Sequence, residues 1–296
     1  MTDAFRLRSG EERREYVIER VHAPEAIAEL LNHDRLFASY ALAQLEPDGF
    51  PRSEWWACAA PDGTAVVCHS RAGLGNATVA LGPSEGVAAI LSVHPGSNQT
   101  FATADPDHLS ALEEAYFLAE HRIMWRMHLT AETFEARGLR AVRLHGGQVR
   151  ALNKLYASEG GPTSYRARHV DDGCYYGVID AGRLVAVAGT HAISPTHSIA
   201  VIGNVFTHPQ YRGRGLATET TSAVATALLP HCQDVVLSVD PRNAPAVRSY
   251  EALGFRTVGE IVEAAAWRQG SSISGTRRRL AARLRGRDRA AEIVWR

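Results

Sequence analysis

The chain has 296 residues, with 32 Lys and Arg against 32 Asp and Glu and a hydrophobic content of 45%. Zero formal charge supplies no global field toward nucleic acid or an acidic membrane surface, so neither is an expected partner. No run of about 18 apolar residues marks a membrane span, and "MTDAFRLRSGEERREYVIERV" lacks an apolar signal core, so a cytoplasmic address is expected by default.

The length suits two ordinary domains, and the chain divides near residue 135. In the first part, "EYVIERVH" reads as a strand and "PEAIAELLNHDRLFASYALAQL" as a helical pattern. "EWWACAA" and "TAVVCHSR", joined by "PDG", read as strand, turn and strand, because Pro and Gly supply turn geometry between apolar runs. A strand "ATVAL" leads into "GPSEGVAAILSV", followed by "TFATA", a helix-like "DPDHLSALEEAYFLAEH" and an apolar "IMWRMHLT". "ETFEARG" is a connector.

The second part repeats that order. "LRAVRLH" reads as a strand and "GGQVRALNKLYAS" as a helix with Val149, Leu152 and Leu155 on one face. "CYYGVID" and "RLVAVAGTHAIS" flank an "AG" turn and pair as a hairpin. "SIAVIGNVFTH" is the next strand, then a Gly-rich loop and a helix, "DVVLSVD" as a strand, "APAVRSYEALG" as a helix and "FRTVGEIVEAAAWR" as a closing strand. Two copies of one α/β plan are expected. Cys58, Cys68, Cys174 and Cys232 show no metal-ligand spacing and read as buried, reduced thiols, so no metal is expected.

The densest chemistry lies in "IGNVFTHPQYRGRGLATETTSAVATALLP". After Pro209 the chain runs through Gly213 and Gly215, and Leu216, Thr220, Val224 and Leu228 then recur at helical spacing. A strand therefore feeds a helix through residues without a Cβ. The backbone can turn sharply there and approach a ligand, while the unpaired N–H groups of the first helical turn make an anion site. Arg212 and Arg214 are rim counter-charge. No Lys-Ser/Thr follows the glycines and no third Gly completes a dinucleotide fingerprint, which demotes ATP and NAD.

These residues carry a resemblance. "QYRGRGLA" resembles the Gln/Arg-x-x-Gly-x-Gly/Ala signature of the GCN5-related N-acetyltransferase (GNAT) superfamily, in its FR47-like branch. "NAPAVRSYEALGF" matches a second motif of that family, Asn-x-x-Ala-x-x-x-Tyr-x-x-x-Gly-Phe, and the likeness covers about residues 139 to 265. It implies acetyl-CoA as cofactor, with its pyrophosphate on the amides of Arg212, Gly213, Arg214, Gly215, Leu216 and Ala217. It implies a splayed strand whose Val205, Phe206 and Thr207 backbone would pair with the pantetheine arm, and Asn243 contacting the cofactor from the far side. Read without the family, Asn243 is the N-cap of a helix starting at Ala244.

Acetyl transfer to an amine needs a base for the nucleophile and an acid for the thiolate. Tyr250 matches the family's usual general acid, and a phenol with a reference pKa of about 10 still holds its proton at neutral pH; its other reading is packing with Val247 and Leu253. The strand before the loop has no carboxylate, so His191 on the neighbouring strand is the replacement base, with Asn204 as a water-orienting group and Glu219 nearby; the other reading of His191 is a hydrogen-bonded structural residue.

The expectation is an α/β protein of two tandem acetyltransferase-like (GNAT) mixed-sheet domains, the first degenerate. Residues 1–135 form the degenerate half, which lacks the glycine signature at "LGPSEGVAAIL" and shapes the acceptor pocket, and residues 136–270 form the GNAT domain. Residues 271–296 are a basic extension, read either as a solvated tail or as a binder of nucleic acid or an acidic surface. The expected function is acetyl-CoA-dependent N-acetylation of a primary amine, small-molecule or peptide, by direct attack, since no Cys or Ser stands in a nucleophile-plus-base arrangement. The alternatives are a non-catalytic acyl-CoA-binding or sensor module and an acyltransferase using a longer acyl donor. A homodimer is compatible with either reading.

Overall fold

The computed structural model describes residues 2–9, 12–72, 75–138, 140–161, 163–269 and 293–295. Two compact units emerge, one of Met1–Ile123 with Ile261–Arg296 and the other of Met124–Glu260. In chain order the first holds β1 (Thr2–Ser9), β2 (Glu12–Arg20), α1 (Pro24–Asn32), α2 (Ser39–Ala43), β3 (Ser53–Ala60), β4 (Gly63–Ser70), β5 (Ala77–Leu81), α3 (Ser84–Val93), β6 (Gln99–Ala104), α4 (Leu109–Ala115) and the start of β7 (Tyr116–Leu129). The second continues with β8 (Val142–Arg143), α5 (Val149–Ala157), α6 (Ala167–Asp171), β9 (Tyr176–Asp180), β10 (Arg183–Ser194), β11 (Ile199–Thr207), α7 (Leu216–Leu228), β12 (Asp234–Val239), α8 (Ala244–Glu251) and the start of β13 (Arg256–Arg268). From β2 to β7 and again from β8 to β13 the order is strand, two helices, three strands, helix, strand, helix, strand.

Each unit carries a mixed sheet. In the second the order is β7-β12-β11-β10-β9-β8, with β11 and β12 parallel and its other pairs antiparallel. In the first, β5 and β6 are the parallel pair, and β14 (Ile293–Trp295) pairs with β1 at the edge. A parallel pair needs a crossover, which α3 and α7 supply. The β9–β10 hairpin turns on Ala181 and Gly182, both at positive φ (46° and 76°), as a two-residue hairpin requires.

The second unit packs α7 and α8 on one sheet face through Val224, Ala225, Leu228, Val247, Tyr250 and Leu253, against Met127, Leu129, Ile202 and Leu237. A separate cluster joins Leu152, Leu155 and Tyr156 of α5 to Tyr165, Tyr175 and Val187.

The division between units falls elsewhere than at residue 135. β7 runs through 116–129, and its Trp125–Leu129 segment pairs with β12 in the second unit. β13 does the converse, its Val262–Trp267 pairing with β6 in the first. The helical pattern through "DPDHLSALEEAYFLAEH" stops at Ala115, and Tyr116, fully buried with its hydroxyl bonded to the Pro95 carbonyl, starts the strand. The pattern over residues 24–45 is two short helices, not one. The basic extension lies outside the described residues apart from β14. Among the described residues no helix is long and apolar enough to cross a membrane.

Candidate active site

β11 pairs with β12 only from Ile199 to Val201, although β11 continues to Thr207 and β12 to Val239. Beyond Val201 the two strands part, and Gly203 to Thr207 are half-buried where a central strand would be covered. The parting ends at the Gly-rich loop. A short turn of helix at Pro209–Tyr211 precedes Arg212, and Gly213 and Gly215 take φ of 76° and 72°, a region costly to residues with a Cβ. A Cβ built on either glycine would meet nothing within 4 Å, so both face open space.

Gly215 caps α7 without a side-chain bond, and the Glu219 N–H already donates to the Gly215 carbonyl (3.0 Å). The amides of Leu216, Ala217 and Thr218 thus precede the first helical bond and point out of the helix end. Open space, exposed donors and the positive end of a thirteen-residue helix fit a diphosphate. Arg212 is ion-paired with Glu159, donates from Nε to the Thr207 carbonyl (3.2 Å) and lies over the Phe206 ring (5.8 Å). Arg214 lies over Tyr211 (5.0 Å). Both remain rim charges rather than loop-filling ones.

Val205 of the splayed strand packs against the hydrophobic cluster that contains Tyr250. The Tyr250 ring meets Phe255 edge-on at 6.0 Å, it is 7% exposed, and burial pushes its pKa up to about 12. Asn243 caps α8, its Oδ1 accepting from the Ala246 amide (3.3 Å).

His191 stands at an irregularity of β10 between Thr190 and Ala192. Its imidazole covers Gly203 so closely that an added Cβ there would fall 1.8 Å from Cδ2. The residue as a whole is exposed, yet protein crowds its imidazole, and this desolvation, with the nearby Arg126 guanidinium, lowers its pKa to about 4. Ile202 belongs to the Tyr250 cluster while its neighbour Gly203 carries His191. Alternation along a strand therefore puts the two candidates on opposite faces of β11.

Two sequence candidates are engaged elsewhere. The Glu219 carboxylate, nearly buried, accepts from the Arg140 amide and from Arg140 Nε (3.0 Å) and Nη2 (2.7 Å). Asn204 sits at φ 55° inside a ring of tyrosines. Tyr156 donates to its carbonyl (2.6 Å), Tyr165 donates to its Oδ1 (2.5 Å), and its Nδ2 donates to the Tyr175 hydroxyl (2.8 Å). Tyr156 and Tyr165 stack at 5.2 Å, and burial raises the pKa of all three phenols, that of Tyr165 to about 12. The sequence offers one signal for this cage, an Asn interrupting a β-branched strand.

The acetyltransferase (GNAT) family matches residues 129–255. Residues 129–255 are a GNAT-family acetyltransferase domain. A Pseudomonas aeruginosa aspartokinase is 31% identical over 131 residues, which is 42% of this chain and 28% of that protein, so the chain spans little more than a quarter of that relative. Among solved structures, a Drosophila protein has a TM-score of 0.62 at 13% identity over 84% of this chain and 98% of its own. A Sphaerobacter thermophilus GCN5-related N-acetyltransferase has 0.53 at 19% identity over 88% and 98%, and one from Kribbella flavida 0.54 at 14% over 81% and 96%. At such identities the likeness is one of fold, and it reaches beyond the GNAT domain into the first unit.

Proposed function

We propose that the GNAT domain binds acetyl-CoA and acetylates a primary amine, on a small molecule or a peptide, by direct attack. The observation that carries this reading is the parting of β11 from β12 directly ahead of the open Gly213–Gly215 loop. Acetyl-CoA supplies an acetyl group activated as a thioester. The amides of Arg212, Gly213, Arg214, Gly215, Leu216 and Ala217 hold the diphosphate. The free edge of Val205, Phe206 and Thr207 receives the pantetheine amides as an added strand would, and Asn243 borders the site from α8.

Tyr250, its pKa raised to about 12, keeps its proton at every physiological pH and gives it to the departing thiolate. His191, neutral above about pH 4, accepts the amine proton from the opposite face of β11. A weak base of this kind suits an amine that arrives unprotonated. The four cysteines are buried and burial raises their thiol pKa values, which supports attack without a covalent enzyme intermediate.

The first unit reads as the degenerate copy. At the corresponding loop, a Cβ on Gly82 would fall 2.5 Å from the Thr64 carbonyl oxygen, and the Gly82 carbonyl accepts from His108 Nε2 (2.7 Å). The adjoining cavity, about 280 Å³, is bordered by Asp34, Asp105 and Asp107, which repel a diphosphate. Thiol release from acetyl-CoA across a panel of amines tests the assignment. Turnover with at least one amine is expected; binding without turnover for any acceptor would make the protein an acyl-CoA sensor.

A further inference from the structure

The first unit also carries an open cavity of about 390 Å³ whose wall is rich in arginine. Arg20 ends β2, Arg52 precedes β3, Arg71 follows β4 and Arg268 ends β13, and all four line it against one lining carboxylate, Glu54. In a chain with equal numbers of acidic and basic residues, this gathers a local excess of positive charge from four separate segments. Among the described residues none of the four is ion-paired. Bringing like charges together without counter-ions is unfavourable unless an anion offsets it.

The wall is also fixed in place. Gly96 has φ 67°, and a Cβ there would lie 2.4 Å from His69 Nδ1, so the loop after α3 is wedged against that imidazole. The buried His69 donates from Nε2 to the His94 carbonyl (2.9 Å), and its Nδ1 accepts from Thr78 Oγ1 (3.0 Å). Both nitrogens are thus used by the protein, and burial lowers the pKa of the ring. Gly96 in turn accepts from Arg268 Nη1 (3.0 Å), which orients that guanidinium at the cavity wall. Arg20 lies over the Trp56 ring (5.9 Å), which itself stacks on His94 at 3.4 Å.

We propose that this cavity binds the phosphate monoester of a small polar metabolite, at a ligand site separate from the Gly213–Gly215 loop. Guanidinium forks match phosphate oxygens two at a time, and an array of them selects a dianion over a monoanion. The volume exceeds what a phosphate group fills, which leaves room for an organic body, and Glu54 offers an acceptor to a hydroxyl on it.

The test is calorimetric titration of the full chain with glycerol 3-phosphate and with inorganic phosphate, at low salt, with and without saturating coenzyme A. Glycerol 3-phosphate is expected to bind more tightly than phosphate and regardless of coenzyme A. Arg52 and Arg71 are exposed, so Arg52→Ala and Arg71→Ala are expected to fold and to weaken binding by at least about tenfold each. The proposal is overturned if neither probe binds at millimolar concentration, if the double variant binds like the parent, or if coenzyme A abolishes the heat. Equal affinity for the two probes would also overturn it, reducing the site to an oxyanion hole without a place for the ester.

Discussion

Asn204 is the residue at which the shape of the splayed strand is most open to perturbation. Replacing it with Gly removes the acceptor of Tyr165 and the donor to Tyr175 but keeps a residue at ease at φ 55°. With the longer bond from its Nδ2 to the Thr190 carbonyl (3.4 Å) also gone, the lost bonds at about 1 kcal/mol each make a loss of about 2–3 kcal/mol. Asn204→Ala loses the same bonds and adds roughly 1–2 kcal/mol for a Cβ in left-handed backbone. At about 2–4 °C per kcal/mol for a domain of 150–250 residues, Gly should lower Tm by about 5–10 °C and Ala by a few degrees more. Urea and thermal unfolding measure both, and coenzyme A affinity should fall in the same order, because the cage shapes the strand edge proposed to receive the cofactor. If Ala and Gly were equally stable, or both within about 0.5 kcal/mol of the parent, the cage would not hold the bend and the reasoning fails.

Tyr250→Phe should lower kcat by about 10²-fold or more with little change in KM, the range expected for a lost proton donor; full turnover at every pH would remove the acid assignment. The His191 imidazole should titrate near pH 4 by NMR, so His191→Ala should leave the shape of the rate profile between pH 6 and 8 unchanged while lowering its height; a midpoint near 6.5 would refute the crowding described for it. Tyr116, Tyr165 and Tyr250 have folded pKa values raised to about 12, above the unfolded value of about 10, so their contribution is whole below pH 10 and is lost as pH rises through 10 to 12. Alkaline unfolding in that window is the expected result, and a flat stability curve to pH 12 the contrary one. Glu219→Gln should destabilise the Arg140 segment yet leave coenzyme A affinity within about twofold, since its carboxylate is engaged by Arg140 and not by the loop; a loss beyond tenfold would place Glu219 in the cofactor site.

The parts of the fold and site that were legible in the sequence rest on local chemistry. Gly213 and Gly215 announce positive φ, Asn243 with Pro245 announces a helix start, and the Ala181–Gly182 pair announces a hairpin. The repeated order of elements follows from hydrophobic periods that each segment carries by itself. What the sequence hid depends on pairing between distant segments. β13 reads as a strand, β7 as a helix end followed by an apolar run, and nothing local says which sheet each joins. Tyr156, Tyr165 and Tyr175 lie 48, 39 and 29 residues from Asn204, and no periodicity links them. Arg140 takes Glu219 across 79 residues. The four arginines of the 390 Å³ cavity come from the end of β2, just before β3, just after β4 and the end of β13, and only the folded chain brings them to one wall.

The central claim is that backbone donors at the start of α7 hold a diphosphate. Calorimetric titration of coenzyme A into folded protein tests it most directly, paired with a Gly213→Val, Gly215→Val double variant whose side chains would enter the open space over the loop. Saturable binding to the parent, lost in the variant, is the result predicted here. No binding to well-folded parent protein, or equal affinity in the variant, would contradict it.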